Sequence, residues 1–383
     1  MTLFISNNRK KYKYFNLLVQ NTDKKSTVKR LGISFNLLRY FKEKDLKEIL
    51  NKNIRHKFYE IDMKIKNPVF KSLYKAYIKL VTPLITSWTL KLIDRYEPKA
   101  VAVWNGQRFP ENLITDIAKK KNLKTIYFEI GFFPNTTVVD PKGVNYQNSL
   151  PREIEFYENY PIKEDTFPKK INTRNHLIKR KLDYIDLPEK YIFVPFQTSF
   201  DTQIVYNSPW IKSMPMLFDI IYDIALKTKT VFVFKEHPHE RDFTYEELHK
   251  KARQNPYVMF ANANPTPELI KNSQAVITIN STVGLEAMLM EKRVIVLGNA
   301  FYALNKITKK ANSIEKLEAV IKTIDEWKVP VDLIKRFLSF LINEYLVKGT
   351  WSNPDSKHYK AVEKRIKDII NDTYYDHFGK KRN

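Results

Sequence analysis

The sequence predicts an α/β protein with doubly wound, mainly parallel sheets, and three observations lead there. Short apolar runs alternate with amphipathic helical segments along most of the 383 residues, the order that buries parallel strands beneath helices. Three of those runs pass directly into polar clusters: 191–203 (YIFVPFQTSFDTQ), 231–240 (VFVFKEHPHE) and 275–288 (AVITINSTVGLEAM). Ligands of open parallel sheets bind outside the carboxyl ends of the strands. Those ends offer Asp201, His237-Pro238 and a Ser281-Thr282-x-Gly284 helix start, groups suited to a phosphate-bearing donor. Glycine is the third sign. The chain has 8 glycines, and Gly106, Gly131, Gly143, Gly284 and Gly298 each follow a strand-like run or sit in a polar turn beside one. Glycine there permits unusual backbone angles or close approach; an ordinary strand-to-helix turn is the plainer reading, for Gly298 above all.

The elements follow in order. Residues 1–60 read as irregular and strongly basic. Residues 67–96 read as a helix, with Leu73, Tyr77, Leu80 and Leu84 at helical spacing and a kink at Pro83. Lys71, Lys75 and Lys79 recur every fourth residue on another face. That suits a membrane-surface helix or, more simply, a helix with one solvated face. A strand–helix–strand unit occupies 100–104, 110–120 and 125–129, closing in Glu129-Ile130-Gly131-Phe132-Phe133-Pro134. Residues 135–152 read as a long polar loop, a kind that is often functional. Residues 161–188, charged and bounded by prolines, read as a linker. Beyond it, strands at 191–196, 231–235, 257–261, 275–279 and 294–297 alternate with helices near 215–227, 245–254, 267–271 and 283–290. Thr266 reads as an N-cap with Pro267 in the first turn. Helices at 332–347 and 356–372 finish the chain, and no internal repeat is present.

Length suggests two domains, on a prior of about 150 residues each, and 43% hydrophobic residues suffice for two cores. The absence of Cys excludes disulfides, thiolate metal sites and a Cys nucleophile. The opening MTLFISNNRKKYKYF does not read as a signal peptide, because basic residues follow its short apolar run instead of preceding it. No stretch approaches the roughly 20 apolar residues that span a bilayer. The expectation is a cytoplasmic protein, peripheral at the inner membrane. Lys and Arg number 66 against 42 Asp and Glu, a net charge of +24, which favours anionic partners. An AT-rich genome gives a similar excess without any partner. A pI near 9.7 and 22 tyrosines raise nucleic acid as a partner. No recognition motif supports it, and the carboxylates at the strand ends would repel a phosphate backbone, so no nucleic acid is expected.

The candidate site is built from these strand ends. The run from Asn280 through Ser281, Thr282, Val283 and Gly284 to Glu286 joins a strand to a helix start, where backbone N–H groups and the helix dipole favour an anion. Ser281 and Thr282 add hydroxyls, and Glu286, one turn in, can accept from ribose hydroxyls; a Ser N-cap with a surface Glu is the bland alternative. Pro238 holds His237 extended at a strand end, where an imidazole can donate to a phosphate or protonate a leaving group. His239 and Glu240 lie beside it, and a metal bound by His237 and His239 lacks a third ligand at recognisable spacing. Asp201 can serve as base, nucleophile or hydroxyl clamp, or simply as an N-cap. Glu129 closes its strand just before Gly131; its alternative is a loop carboxylate paired with Arg152 or a lysine. Lys235 and Arg152 are cations able to meet a sugar carboxylate. No Asp-x-Asp element occurs, so a metal-independent reaction with no cofactor is expected.

Taken together, three blocks resemble the bacterial capsule polysaccharide synthesis family: Glu129-x-Gly131-Phe132-Phe133-Pro134, Asp140-Pro141-x-Gly143-Val144-Asn145, and Asn148-Ser149-x-Pro151-Arg152. So do Pro195-x-Gln197 with Asp201-x-Gln203, His237-Pro238, and the 280–286 element. Within that family they are similar to the β-Kdo transferases that build the Kdo linker of capsules. The resemblance covers roughly residues 100–302. It implies two Rossmann-like domains facing a cleft, a GT-B-like glycosyltransferase with C-terminal helices. The expected division is an acceptor-side domain (1–165), a linker (166–188), a nucleotide-sugar-binding domain (189–330) and C-terminal helices (331–383). The donor it implies is CMP-β-Kdo, held by Gln197, Lys235, His237, Pro238, Asn280, Ser281, Thr282, Gly284 and Glu286. On the retaining scheme proposed for the family, Asp201 is the nucleophile, His237 contacts the donor phosphate, and Glu129 is acid/base or positions the acceptor. Gly131, Asn145, Ser149 and Arg152 fall on the acceptor side. The single-module length favours a phosphatidylglycerol-type lipid or growing Kdo linker as acceptor, with the inner membrane surface and other capsule biosynthesis or export proteins as further partners. A transferase of another nucleotide sugar, or a non-catalytic assembly or export component, are the competing readings.

Overall fold

The computed structural model describes residues 1–37, 46–169, 184–199, 201–240 and 244–378. The chain forms two compact α/β units: Met1–Ser149 with Glu344–Asn383, and Leu150–Asn343.

The first unit begins where an irregular segment was expected. Strand β1 (Thr2–Ser6) is buried along its whole length. Helix α1 (Arg9–Asn21) starts at Asn8, whose Oδ1 accepts the N–H groups of Lys10 (2.9 Å) and Lys11 (3.1 Å). Tyr14, Phe15 and Leu18 form its buried face. Strand β2 (Thr27–Arg30) and helix α2 (Leu46–Lys64) follow. The dense lysines of 1–60 hid this periodicity, because they occupy the solvated positions around few apolar anchors. Helix α3 (Pro68–Tyr96) matches the expectation in extent, with Asn67 capping it, Pro68 in its first turn and Pro83 inside it. Its C-terminal half is buried, and Thr82, Thr86 and Thr89 donate back to the carbonyls of Ile78, Thr82 and Ile85 at 2.6, 2.9 and 2.8 Å. Its N-terminal half is different: Leu73, Tyr77 and Leu80, the residues read at helical spacing, are exposed.

Strand β3 (Ala100–Trp104), helix α4 (Glu111–Lys120) and strand β4 (Lys124–Ile130) form the expected unit. The expected loop after it is instead strand β5 (Thr136–Asp140), antiparallel to β4 with Tyr127 opposite Asp140. Thr-Thr-Val-Val is β-branched throughout and buried, a strand signal that the flanking polar residues obscured. Gly131 makes the turn possible: a Cβ there would lie 1.9 Å from Thr136 Oγ1.

In the second unit, β6 (Ile192–Pro195), α5 (Thr202–Asn207), α6 (Met214–Thr228), β7 (Phe232–Lys235), α7 (Glu246–Ala252) and β8 (Val258–Phe260) come first. Then come α8 (Thr266–Asn272), β9 (Ala275–Thr278), α9 (Val283–Leu289), β10 (Arg293–Val296), β11 (Lys309–Lys310) and α10 (Ile314–Lys322). All six strands are parallel, in the order β11-β10-β9-β6-β7-β8. Thr266 is the first residue of α8 instead of its cap; Pro265 holds that position. Helices α5 and α10 were not foreseen. Phe196, Phe218, Phe234 and Phe260 pack with centroid separations of 5.2–5.9 Å among the aliphatic residues of the core.

Helix α11 (Val331–Phe340) runs into a π-helical turn, Leu341–Tyr345, and then the chain returns to the first unit. Strand β12 (Val347–Lys348) pairs antiparallel with β5, and helix α12 (Ser356–Ile370) follows. The first sheet therefore has the order β12-β5-β4-β3-β1-β2. The units divide at 149/150 and 343/344, where the sequence suggested 165 and 330. Two contacts explain the shift. Tyr157 packs edge-on against Phe337 (5.1 Å) and Phe340 (5.4 Å), which draws 150–169 to α11. Buried Asp140 draws the C-terminal segment to the first sheet: its Oδ1 accepts the N–H groups of Lys142 (2.7 Å) and Gly143 (3.0 Å). Its Oδ2 accepts from Ser149 N (2.8 Å), Ser149 Oγ (2.7 Å) and Tyr345 OH (2.9 Å). Burial pushes the pKa of Asp140 up, and these donors pull against that. Of the expected linker, residues 170–183 lie outside the described residues. Among the described residues no helix is long and apolar enough to cross a membrane.

Candidate functional site

The second sheet reverses its winding at β6 and β9. From β6 the chain proceeds to β7 and β8 on one side, then returns to β9, β10 and β11 on the other. Connections that diverge in this way leave a crevice at the strands' carboxyl ends. Gln197 and Asn280, just beyond those two strands, meet there: Gln197 Nε2 donates to Asn280 Oδ1 at 3.0 Å, and Asn280 N donates to Gln197 Oε1 at 3.3 Å. The Asn280 amide also donates to the carbonyls of Gln203 (3.0 Å) and Asn207 (3.2 Å). Both side chains are buried, so they tie the two loops together from beneath. Asp201 stands above α5 as its N-cap, Oδ1 accepting the Gln203 N–H at 2.9 Å.

The 280–286 element folds on itself more than expected. Ser281 N donates to Thr278 Oγ1 (3.1 Å), Val283 N to Ser281 Oγ (3.3 Å) and Gly284 N to Ser281 O (3.1 Å). The N–H groups of Ser281, Val283 and Gly284, expected to be open to an anion, thus have partners, while the hydroxyls of Ser281 and Thr282 stay suited to one. Tyr302 donates its OH to the Ser281 carbonyl, and its ring lies 2.7 Å from where a Cβ on Gly284 would be. Glu286 lies half-buried in the first turn of α9.

His237 opens a turn closed by Glu240 N donating to His237 O at 2.9 Å. His237 Nδ1 accepts the His239 N–H at 3.2 Å, which sets the proton of a neutral ring on Nε2. Glu240 reaches back to the loop after β6, its Oε2 accepting from Ser199 N (2.8 Å) and Ser199 Oγ (2.7 Å). The loops bearing Asp201 and His237 are therefore clasped. Lys235 faces the other way: Nζ donates to the carbonyls of Asn262 (2.5 Å) and Asn264 (2.7 Å), and burial lowers its pKa to about 8. The Arg152 guanidinium donates to the Leu150 carbonyl at 2.6 Å, within the second unit.

The first sheet reverses between β1 and β3, and Glu129 ends the adjacent β4. Its carboxylate accepts from Asn105 Nδ2 (2.6 Å), Trp104 Nε1 (3.3 Å) and Ile130 N (2.9 Å). Asn105 accepts from Gln107 N (3.0 Å), and Gln107 Oε1 accepts from Asn145 Nδ2 (3.5 Å), so a chain of amides links Asn145 to Glu129. Lys11 completes the cluster. Its Nζ lies 3.4 Å from the ring centre of Trp104 and 2.9 Å from that of Trp351. Burial lowers the Lys11 pKa to about 7, against the opposing pull of Glu129. Three donors fix the orientation of the Glu129 carboxylate, and Lys11, with a pKa of about 7, can take and give a proton beside it. Ser149, expected on the acceptor side, is buried, with its hydroxyl bonded to Asp140 and Tyr374 (2.9 Å). Lys11, Asn105, Gln107 and Trp351 were not foreseen; only Asn105-Gly106, after an apolar strand, carries a local signal.

The family described as capsule polysaccharide biosynthesis protein matches residues 99–186 and 180–329. The chain belongs to that family. Protein FixF of Sinorhizobium fredii is 33% identical over 333 residues, 86% of this chain and 80% of that protein. The capsule polysaccharide export protein KpsS of Escherichia coli is 23% identical over 287 residues, covering 59% of this chain and 72% of that one. Among solved structures, the β-Kdo 2,7 transferase of Thermosulfurimonas dismutans KpsC aligns with a TM-score of 0.45 and 19% identity, over 68% of this chain and 81% of that one. The family match begins just before β3 and ends before α11. It takes in Glu129, Asp201, His237 and Glu286 and leaves Lys11 and Trp351 outside.

Proposed function

We propose that the chain is a glycosyltransferase of capsule polysaccharide biosynthesis, taking β-Kdo from CMP-β-Kdo to a phosphatidylglycerol-type lipid or growing Kdo linker with retention of configuration. One observation carries most of the reading. Gln197 and Asn280 meet at the reversal point of the all-parallel sheet, and Asp201, His237 and Ser281 of the family-like motifs follow its strands β6, β7 and β9. In this reading His237 Nε2 and the hydroxyls of Ser281 and Thr282 meet the donor phosphate, and Glu286 meets the ribose. The Asp201 carboxylate attacks the anomeric carbon, and the bond to the phosphate oxygen breaks, so that CMP leaves with the electron pair. The acceptor hydroxyl then displaces Asp201 from that carbon, and its proton passes to a general base. Two inversions make the net retention. The reaction is proposed to need neither metal nor cofactor, given the lack of an Asp-x-Asp element.

Similarity to KpsS, an export protein by name, favours a second reading, a non-catalytic export or assembly component. One assay separates them. The protein is given CMP-Kdo generated in situ and a fluorescent phosphatidylglycerol acceptor, alongside Asp201→Ala and His237→Ala. A gain of one Kdo by mass, lost in both variants, is expected. Product with a Kdo-primed lipid alone assigns an extending transferase. CMP binding by calorimetry without transfer moves the donor to another nucleotide sugar. No CMP binding overturns the transferase reading.

A further inference from the structure

The N-terminal half of α3 carries an apolar face that stands exposed among the described residues of the unit. Val69, Phe70, Leu73, Tyr77 and Leu80 are 64, 65, 62, 54 and 70% exposed. At about 100° per residue they fall within an arc of roughly 100°, the width of stripe that normally faces a core. Ile78, roughly 130° round from the middle of that arc, lies on the buried side. The segment before residue 38 extends the patch: Ser34 N donates to the Leu84 carbonyl at 3.0 Å, and Ile33 and Phe35 stand exposed beside it.

The surroundings of this face are cationic. Residues 46–96 hold eleven Lys and Arg against four Asp and Glu. Lys64 and Lys66 are exposed in and beside the turn that joins α2 to α3. Lys71 and Lys75 share Asp62 at 3.5 and 2.7 Å, and Lys75 and Lys79 lie over the Phe58 ring at 5.2 and 5.7 Å. These contacts hold the lysines to the flank and leave the aromatic and aliphatic side chains outermost. A face of Phe, Tyr, Leu and Val edged by ammonium groups matches the boundary between acyl chains and anionic headgroups. A protein partner would have to supply a large acidic surface around an apolar groove.

We propose that the α2–α3 hairpin is a membrane-docking element that lays Val69, Phe70, Leu73, Tyr77 and Leu80 into an anionic lipid surface. This shares with the transferase reading only the anionic lipid, and its test needs no donor and no turnover, so each can fail alone. The full chain is sedimented with vesicles of phosphatidylcholine, with and without phosphatidylglycerol, beside a Phe70→Ser/Leu73→Ser/Leu80→Ser variant. All three positions are exposed, so the melting temperature should be unchanged. The expected result is binding that requires phosphatidylglycerol and weakens at least tenfold in the variant. Sedimentation velocity without lipid completes the test. Wild-type binding that the variant retains in full, or no binding to phosphatidylglycerol vesicles, overturns the proposal. A wild-type dimer that the variant dissociates, without vesicle binding, overturns it in favour of a second copy of this chain.

Discussion

Replacing Asp140 with Asn should destabilise the first unit while leaving the second intact. The isosteric amide keeps the shape but turns one acceptor oxygen into a donor. Neither orientation is tolerable. Oδ1 faces the N–H groups of Lys142 and Gly143, and Oδ2 faces Ser149 N together with the hydroxyls of Ser149 and Tyr345. Backbone N–H groups can only donate, so at least one, and in the Oδ1 orientation two, lose their acceptor inside the protein. At about 1–3 kcal/mol for each buried group left unsatisfied, with further loss from the missing charge, the substitution should cost about 4 kcal/mol. That is a large share of the roughly 5–15 kcal/mol that a domain commands. Hydrogen exchange read by mass spectrometry resolves the two units separately. Amides of β4 and β5 that open only by unfolding should exchange roughly a thousand-fold faster, since about 1.4 kcal/mol is tenfold. Those of β6 and β7 should not change. Acceleration of less than tenfold in β5 would refute the assignment of Asp140 as the node that holds the returning segment.

Lys11→Met should flatten a pH dependence. The folded pKa of Lys11 is about 7 against the ordinary lysine value of 10.5, so between those values the unfolded chain binds the extra proton and stability rises with pH. The wild-type urea midpoint should climb from pH 7 to 9 more than that of the variant; equal slopes would count against a buried ammonium between Trp104 and Trp351. Glu240→Ala removes the clasp on Ser199 and, on the proposed function, should lower turnover about tenfold by loosening the loop before Asp201, with unchanged affinity for the proposed donor's CMP. A fall in melting temperature that tracks the activity would assign Glu240 a merely structural role.

Much of the second unit was legible because its strands are buried on both faces and so appear as unbroken apolar runs, Ile-Phe-Val, Phe-Val-Phe and Ala-Val-Ile, each ended by a polar turn. The same runs marked the strand ends beyond which Asp201, His237 and Ser281 lie. In the first unit, Leu73, Tyr77 and Leu80 show what periodicity leaves open: it finds a face but not what lies against it. The Lys11–Trp104–Trp351 stack joins residues up to 340 positions apart, and no local pattern records such a meeting. Asp140 stood inside a family-like motif, yet its role depends on Tyr345, far along the chain. The motif block that looked like acceptor chemistry is in part the anchor of a sheet.

The return of the chain to its first sheet sets an order of events at the ribosome. Leu150–Asn343, a stretch of 194 residues, emerges before Tyr345, β12 and α12 can reach Asp140. At about 5–20 residues per second, the nascent first unit waits roughly 10–40 s with β5 as a bare edge, while the later-made unit already has all six of its strands. The half that is synthesised first is thus the half that finishes last, and for that interval its exposed strand is a natural client for a chaperone.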